Sequence, residues 1–445
     1  WNPPPSGEFL RVAVAEMSFP LRVLVVVAVL SLSEGFAPFK RWRTRRSASY
    51  QSAVSWSEVE AALPSADTGD APPALTLYRD TNGWCPFCER ILVALSAKQI
   101  PFEEVLIDLR NKPQWYLDMV PTALVPAIKF HDSGEIVYES LDIIKALDDR
   151  FPERQLMRDD EQVAAVMEEN DKLVSAGFKF AYGVRNTTLS DEEKGRLPQE
   201  FVEQLDKLDA RLAERGPFML GSDLSAADIA LLPIMERFRY QLPVTAGIKV
   251  YDASRPNIQK WFDSIDGLPA YRERITGDEV SWVLAASIFL QLFGTGDSEE
   301  GKALVDKALQ EAEAALGRIA AESETVAELS KEPGSREAAA KLISNREAVI
   351  ADATAADKEP KSQRALERLP ASAAPVVSQV LRNAAARLVG VSPVPVDEKD
   401  SEIAAKAARF VASRVSAPRD VGAPAARVLR MALFQEEKAA QLKAA

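Results

Sequence analysis

The only two cysteines of the chain, Cys85 and Cys88, lie in a Cys-Pro-Phe-Cys motif between a short apolar segment and an amphipathic one. A thiolate at the first position would be a nucleophile, and the second thiol could displace a group bound to it through a disulfide. At a helix start a thiol titrates at roughly 3.5 to 7.5 rather than about 8.5, since free N–H groups and the helix dipole favour the anion. The motif therefore predicts cysteine chemistry at neutral pH, with two structural helix cysteines as the alternative.

Two flanking segments would position these thiols. Residues 74–78 are β-branched, apolar or aromatic and are followed by a polar turn at 79–83, which predicts a strand. Between 89 and 98 apolar residues recur at helical spacing. Pro86 suits the first helical position, because its missing N–H would have no helical partner there. We therefore expect a strand, a turn and a helix, with Cys85 where the helix begins.

The composition narrows the chemistry further. With 445 residues, 47% of them hydrophobic and 27% charged, the chain is long enough for two or three packed units plus tails. Two cysteines and one histidine, His131, leave too few ligands for a zinc site of these residue types and argue against a Ser-His-Asp triad. Residues 51–279 carry a net charge of about −15, which argues against nucleic acid as a partner. We expect no metal cofactor.

Residues 1–50 have the composition of a targeting leader. Met17 is the expected start, and the apolar run at 23–30 fits a signal peptide while being short for a membrane span. Residues 36–50 carry five basic residues, serines and no acid, as transit peptides do. The segment resembles the bipartite leaders of algae with secondary plastids, which implies the plastid stroma; secretion, a membrane anchor or a cytoplasmic location are alternatives. Residues 51–73, with three prolines, are interpreted as a linker.

The predicted elements from 74 to 152 follow the order of a thioredoxin-like domain. After the cysteine helix come a strand, a short helix, two strands and a closing helix, at 102–107, 112–117, 124–130, 135–138 and 141–150. Three further motifs accompany the cysteines: Ile107-Asp-Leu-Arg-Asn-Lys-Pro-Gln-Trp115, Leu124-Val-Pro126 and Tyr138-Glu-Ser140. In order and spacing, the four motifs resemble those of the glutathione transferase family. The resemblance is closest to its cysteine-type classes, especially omega, and to plant and algal plastid enzymes, and it covers about 74–278.

This resemblance implies a glutathione-binding role for each matched residue. Cys85 would meet the glutathione sulfur, and Cys88 is an additional thiol that omega enzymes usually lack. Val125 would pair its backbone with the cysteinyl part of glutathione, aimed by a cis bond at Pro126.

Three charged or polar residues would hold the ends of the tripeptide. The resemblance implies that Glu139 binds the γ-glutamyl ammonium and that Ser140, at a helix start, binds the γ-glutamyl carboxylate. Lys112 would pair with the glycyl carboxylate. Taken singly, Glu139 and Ser140 could also form a helix cap, and Lys112 could be a solvated loop charge.

Residues 153–279 resemble the all-α second domain of the same family. Helices are predicted at 161–176 and 199–215, and further on Ser225 and Asp228 have the three-residue spacing of a capping box. A hydrophobic substrate cleft would lie between the two domains. Four aromatic residues could line it or belong to the core: Phe178, Phe180, Tyr182 and Tyr240.

The resemblance ends before residues 280–445, which we expect to form an additional α-helical region. The apolar run at 283–293 is only about eleven residues long, so a buried or docking helix is expected rather than a membrane span. Ala-rich helices broken by prolines follow. The stretch 402–430 has six basic residues against two acidic ones, and we interpret it as a solvated helix face, with docking of an acidic partner as the alternative.

Two functions are consistent with these patterns. The first is a glutathione-dependent thioltransferase or thiol–disulfide oxidoreductase, with deglutathionylation or dehydroascorbate reduction as activities. Glutathione would be its co-substrate, and a disulfide or small molecule its second substrate. The second is a non-catalytic binding or scaffold protein that contacts a partner through 280–445. The family often forms dimers, so a homodimer is an open expectation.

Overall fold

The structure is a computed structural model, and it describes residues 54–63, 72–157, 160–183, 189–269, 271–293, 299–356 and 366–444. The predicted leader lies outside them. In chain order, the elements up to residue 150 are α1 (Trp56–Ala62), β1 (Leu75–Asp80), α2 (Pro86–Lys98), β2 (Phe102–Ile107), α3 (Gln114–Met119), β3 (Ala127–Phe130), β4 (Ile136–Tyr138) and α4 (Ser140–Arg150). The later α-helices are α5 (Asp160–Phe178), α6 (Asp191–Arg215), α7 (Ala226–Thr245), α8 (Pro256–Asp266), α9 (Glu279–Phe293), α10 (Glu299–Ser323), α11 (Ser335–Ala353), α12 (Ala374–Leu388), α13 (Ser401–Arg414) and α14 (Ala423–Ala444).

Two compact units divide the described residues. The first contains Asp70–Tyr271 and Ala285–Ala308, and the second contains 54–63 together with Arg272–Leu284 and Leu309–Ala445. Helix α1 therefore belongs to the second unit, although its residues fall in the segment that the prolines led us to interpret as a linker. Its Val59 is fully buried in the core of that unit, which explains why this part of the segment is helical.

A four-stranded sheet in the order β2-β1-β3-β4 forms the α/β part of the first unit. Strand β1 pairs parallel with β2 and antiparallel with β3, which confirms the predicted thioredoxin-like plan. β1 runs two residues further than predicted, because Arg79 and Asp80 continue the ladder opposite Leu106 and Ile107. The sheet thereby carries Asp80 to the edge where α2 begins.

Helix α7 is the central helix of the all-α part. Every residue from Ala226 to Phe238 is buried, as in a helix enclosed on all sides. The Asp228 carboxylate accepts hydrogen bonds from the Ser225 N–H at 3.0 Å and from Trp261 Nε1 at 2.8 Å. The bond from the Ser225 N–H to the Asp228 side chain, which the capping-box spacing predicted, is confirmed. Through Trp261 the same carboxylate also holds helix α8.

The second unit has its own core of alanine, valine and leucine side chains, contributed largely by α11 to α14. Each of the six basic residues in 402–430 has an acidic partner inside this unit: Lys406 with Glu402, Arg409 with Glu313, Arg414 with Asp352, Arg419 with Asp420, Arg427 with Glu322, and Arg430 with Asp278. The interpretation of the stretch as a solvated face is wrong for Arg430, whose side chain is fully buried.

Helix α9 contains the apolar run at 283–293, and its residues contribute to both units. In the described part of the chain, no helix combines the length and the apolar content that crossing a bilayer requires.

Candidate functional site

Cys85 occupies the N-cap position of α2, and Pro86 is the first helical residue, as predicted. The Cys85 side chain makes no hydrogen bond to the first turn, but it lies at the helix end where free N–H groups and the dipole of a 13-residue helix favour negative charge. The residue is 4% exposed, and its Sγ lies 3.9 Å from the carbonyl oxygen of Val125. If the backbone of a cysteine-containing ligand pairs with the Val125 backbone, the ligand's thiol would thus meet the Cys85 sulfur.

Cys88 and Asp80 complete the immediate surroundings of this sulfur. One carboxylate oxygen of Asp80 and the two sulfurs lie within 4.8 Å of one another, and all three residues are buried. Burial, assisted by Cys85 and Asp80, raises the pKa of the Cys88 thiol well above its ordinary value. The carboxylate also accepts hydrogen bonds from the backbone N–H of Trp84 at 2.9 Å and of Cys85 at 3.4 Å. Asp80 therefore holds the turn that presents the first cysteine.

The segment before β3 lies against the cysteines. The bond between Val125 and Pro126 is cis, as the resemblance implied, and Val125 packs in one apolar cluster with both sulfurs. β3 begins at Ala127 instead of the predicted Leu124, so Val125 lies outside the ladder with β1.

Glu139 and Ser140 are at the start of α4, where a helix N-terminus favours an anion. Glu139 is exposed and has φ of 69° with ψ of 122°, a conformation that non-glycine residues rarely adopt and that tends to occur at binding sites. Ser140 is buried, and Arg90 of α2 donates a hydrogen bond to its Oγ at 3.2 Å. The arginine therefore links the predicted carboxylate-binding serine to the cysteine helix.

Lys112 lies just before α3 and is half-buried, which lowers the pKa of its ammonium group. Within the described residues, no hydrogen bond or ion pair joins Lys112 to the cysteines, Val125, Glu139 or Ser140. The structure thus gathers Cys85, Cys88, Val125 and Pro126 directly and connects Ser140 to the cysteine helix through Arg90.

A buried ionic cluster that no sequence pattern indicated supports the site. Arg237 of α7 donates hydrogen bonds to Glu89 Oε2 at 2.8 Å and to the carbonyl of Trp84 at 2.9 Å. Burial and the neighbouring Glu236 raise the pKa of Glu89 well above its ordinary value. Because Trp84 and Glu89 flank the cysteine motif, one guanidinium fixes both ends of it. Arg237 is 148 residues from Glu89 in the chain, so no local pattern could reveal the contact.

The aromatic residues proposed for a substrate cleft have mixed positions. Phe180 is buried and stacks on Phe201 with ring centroids 5.5 Å apart, so it belongs to the core. Phe178 is partly buried and packs edge-on against Phe238, and Tyr240 is partly buried on α7. The side chain of Tyr182 lies outside the described residues. Trp84 and Phe289 form an aromatic pair that we did not predict. Their rings pack edge-to-face beside the cysteine motif, with ring centroids 5.9 Å apart.

Two family models match the first unit. Residues 84–150 match the glutathione S-transferase N-terminal domain, and residues 191–264 match the glutathione S-transferase C-terminal domain. The first match begins one residue before Cys85 and ends with α4, so it contains every residue singled out above for glutathione binding.

Curated plant proteins are similar over the same part of the chain. Protein IN2-1 homolog B of Oryza sativa subsp. indica is 35% identical over 196 residues, which cover 42% of this chain and 75% of the relative. Glutathione S-transferase L2, chloroplastic, of Arabidopsis thaliana is 34% identical over 196 residues, or 42% of this chain and 62% of the relative. Glutathione S-transferase DHAR3, chloroplastic, of the same plant is 28% identical over 184 residues, or 41% and 66%.

Proposed function

Because the chain belongs to the glutathione S-transferase family, we propose that it is a glutathione-dependent thiol–disulfide oxidoreductase whose nucleophile is Cys85. Members of this family use glutathione as co-substrate, and the enzyme class itself follows from membership. The finer assignment depends on one observation. Cys85 occupies the N-cap position of α2, and its sulfur lies 3.9 Å from the Val125 carbonyl oxygen. A cysteine placed there forms a covalent bond with the glutathione sulfur, which favours disulfide exchange over conjugation.

The reaction would proceed by two thiol–disulfide exchanges. In the first, the Cys85 thiolate attacks the glutathione sulfur of a glutathionylated substrate, the S–S bond breaks, and the substrate leaves as a thiolate that takes up a proton. In the second, the thiolate of another glutathione attacks the mixed disulfide on Cys85, which releases oxidised glutathione and restores the Cys85 thiolate. Cys88 could perform this second attack instead, forming a Cys85–Cys88 disulfide that two glutathione molecules then reduce.

The remaining site residues would hold the tripeptide. Val125 would bind the cysteinyl part through its backbone, with Pro126 setting the direction of that backbone. Glu139 and Ser140 at the start of α4 would bind the γ-glutamyl ammonium and carboxylate, and Lys112 would bind the glycyl carboxylate. Two observations support these roles. The bond from Arg90 holds Ser140 in place before ligand binds, and Glu139 has a rare backbone conformation of the kind that clusters at binding sites.

The proposal is tested by measuring the turnover of a small mixed disulfide of glutathione. The oxidised glutathione that forms is measured with glutathione reductase in a coupled assay. We expect Cys85→Ser to abolish activity, since the remaining cysteine, Cys88, lies inside α2 and not at the N-cap position where the helix start favours a thiolate. Retained activity in Cys88→Ser assigns the second step to glutathione, and lost activity assigns it to Cys88. Full turnover in Cys85→Ser would contradict the mechanism.

Two finer points follow from the same assignment. Dehydroascorbate reduction requires the same thiolate and the same regeneration by glutathione, so we propose dehydroascorbate as one substrate.

We also propose the plastid stroma as the location of the protein. The composition of the leader supports it, as do the two Arabidopsis relatives whose names include "chloroplastic".

The scaffold hypothesis makes a different prediction. The second unit has its own core and contains none of the proposed site residues, which is the arrangement expected of a separate binding module. A full chain that lacks measurable affinity for glutathione but retains a stable protein partner would favour this hypothesis over the enzyme.

A further inference from the structure

Asp80, Cys85 and Cys88 bring three metal-binding atoms together in one buried place. The two sulfurs and one carboxylate oxygen all lie within 4.8 Å of one another. In a tetrahedral zinc site with Zn–S bonds of about 2.3 Å, neighbouring sulfurs are about 3.8 Å apart. The two sulfurs therefore need to close by about 1 Å at most, and each sulfur and the carboxylate oxygen, which would be about 3.5 Å apart in such a site, by about 1.3 Å at most.

The Asp80 carboxyl group is buried beside the two sulfurs and has no basic side chain as a partner among the described residues. The residue is 2% exposed. Its neighbour Arg79 bonds the Asp80 carbonyl and pairs with Glu104, so its guanidinium is engaged elsewhere. Across the ranges that the structure describes, no lysine or arginine side chain lies within ion-pair distance of this carboxylate. Buried charges in proteins are either paired or coordinate a metal, and here two thiols are the facing groups.

We propose that Asp80, Cys85 and Cys88 bind a thiophilic divalent cation when both cysteines are reduced, and that Zn²⁺ fits best. Two sulfurs and one oxygen suit this borderline-soft ion, whereas Mg²⁺ and Ca²⁺ require mainly oxygen ligands in larger number. The backbone N–H groups of Trp84 and Cys85 orient the Asp80 carboxylate, which is the usual role of outer-shell hydrogen bonds in metal sites. Counting cysteines and histidines alone predicted no metal site, because that count leaves out carboxylates.

Three protein ligands leave one tetrahedral position open, as in catalytic rather than structural zinc sites. A water molecule or an incoming thiol could take that position. Since the metal would occupy both sulfurs, the loaded form could not attack a disulfide, and Zn²⁺ would act as a reversible inhibitor of the exchange. This consequence rests on the proposed function, but the binding site itself does not.

Cobalt substitution tests the site without measuring turnover. The full chain is reduced with a phosphine, stripped of metal by a chelator and titrated with Co²⁺ without oxygen. We expect thiolate-to-cobalt charge-transfer absorption with the visible bands of tetrahedral Co²⁺, one ion per chain, and displacement by Zn²⁺. Cys85→Ser or Cys88→Ser should remove about half of the charge-transfer intensity, since each deletes one of two thiolates. Asp80→Asn should weaken binding by about tenfold or more, because it deletes the third ligand.

Asp118→Asn is the matched control, since Asp118 is exposed on α3. The Co²⁺ affinity of this variant should equal that of the native chain. No charge-transfer band in the reduced native chain overturns the proposal. Equal affinities of the native chain and Asp80→Asn also overturn it. If circular dichroism shows that Asp80→Asn is unfolded, Asp80→Glu takes its place, because glutamate keeps the carboxylate but displaces its oxygen. A Co²⁺ affinity of Asp80→Glu equal to that of the native chain would count against the site. Because turnover is not measured, a failed titration leaves the proposed enzyme standing, and an inactive enzyme leaves the titration valid.

Discussion

Arg237 offers the sharpest test of how the all-α part supports the cysteine motif. Replacing it by methionine keeps most of the volume but removes the guanidinium that binds Glu89 and the Trp84 carbonyl. The side chains involved are hardly exposed, at 7% for Arg237, 4% for Glu89 and 1% for Glu236. Breaking a buried pair by removing one partner costs about 3 to 5 kcal/mol. The lower end applies here, because Glu89 already has a raised pKa and can bind a proton.

The pH dependence of this cost has a definite sign. Without Arg237 the folded chain holds the Glu89 proton more tightly than the unfolded chain, in which glutamate titrates at about 4.3. Stability of the variant should therefore fall as the pH rises from about 4.3 through the raised folded pKa, so the loss is larger near neutrality than in mild acid.

Urea denaturation followed by circular dichroism measures this loss at two pH values. Arg196→Met is the control, because Arg196 makes an exposed pair with Glu192 one turn away, and it should cost about 0.5 kcal/mol or less. The double variant Glu89→Gln/Arg237→Met should recover about 1 kcal/mol or more, because it removes one of the orphaned carboxyls. A loss below about 1 kcal/mol in Arg237→Met, or no recovery in the double variant, would show that the Arg237 guanidinium does not stabilise the cysteine motif in this way.

Three further outcomes are expected. Lys112→Met should weaken glutathione binding about tenfold by calorimetry, which corresponds to the loss of one charged contact of about 1.4 kcal/mol. Burial lowers the pKa of Lys112, and only the protonated ammonium group binds a carboxylate. The affinity of the native chain for glutathione should therefore decline, as the pH rises, at a lower pH than with a lysine of ordinary pKa. The Lys112→Met chain should lack this decline. Asp228→Ala should destabilise the first unit by about 3 kcal/mol in urea, since the Ser225 N–H and the Trp261 indole lose their buried acceptor; a loss under about 1 kcal/mol would contradict this. Arg430→Met should increase hydrogen exchange in the second unit, because Asp278 loses its buried partner, and unchanged exchange would contradict this.

The sequence was sufficient where a local pattern determines a local structure. Strand β2 has the predicted bounds, and the cysteine helix begins at Pro86 because the missing N–H of proline suits that position. The end of β1 was predicted two residues early, because Arg79 and Asp80 look like turn residues. Their pairing with Leu106 and Ile107 is a tertiary contact that a single sequence does not show.

Contacts between distant segments account for the rest of what was missed. Asp80 was assigned to a turn, and only the fold shows its carboxylate facing both sulfurs. Arg237 reaches the cysteine motif from α7, where its neighbours in sequence indicate nothing more than a buried helix. In the second unit, the basic residue Arg430 is buried because Asp278, 152 residues away, neutralises it.

In the proposed mechanism, Cys85 exchanges with glutathione through a mixed disulfide. The most direct measurement is mass spectrometry of the reduced Cys88→Ser chain after brief exposure to oxidised glutathione near neutral pH, with peptide mapping of the product. We expect one glutathionyl group per chain, located on Cys85. A chain that remains unmodified while folded, yet is modified on Cys85 once unfolded in urea, would contradict it.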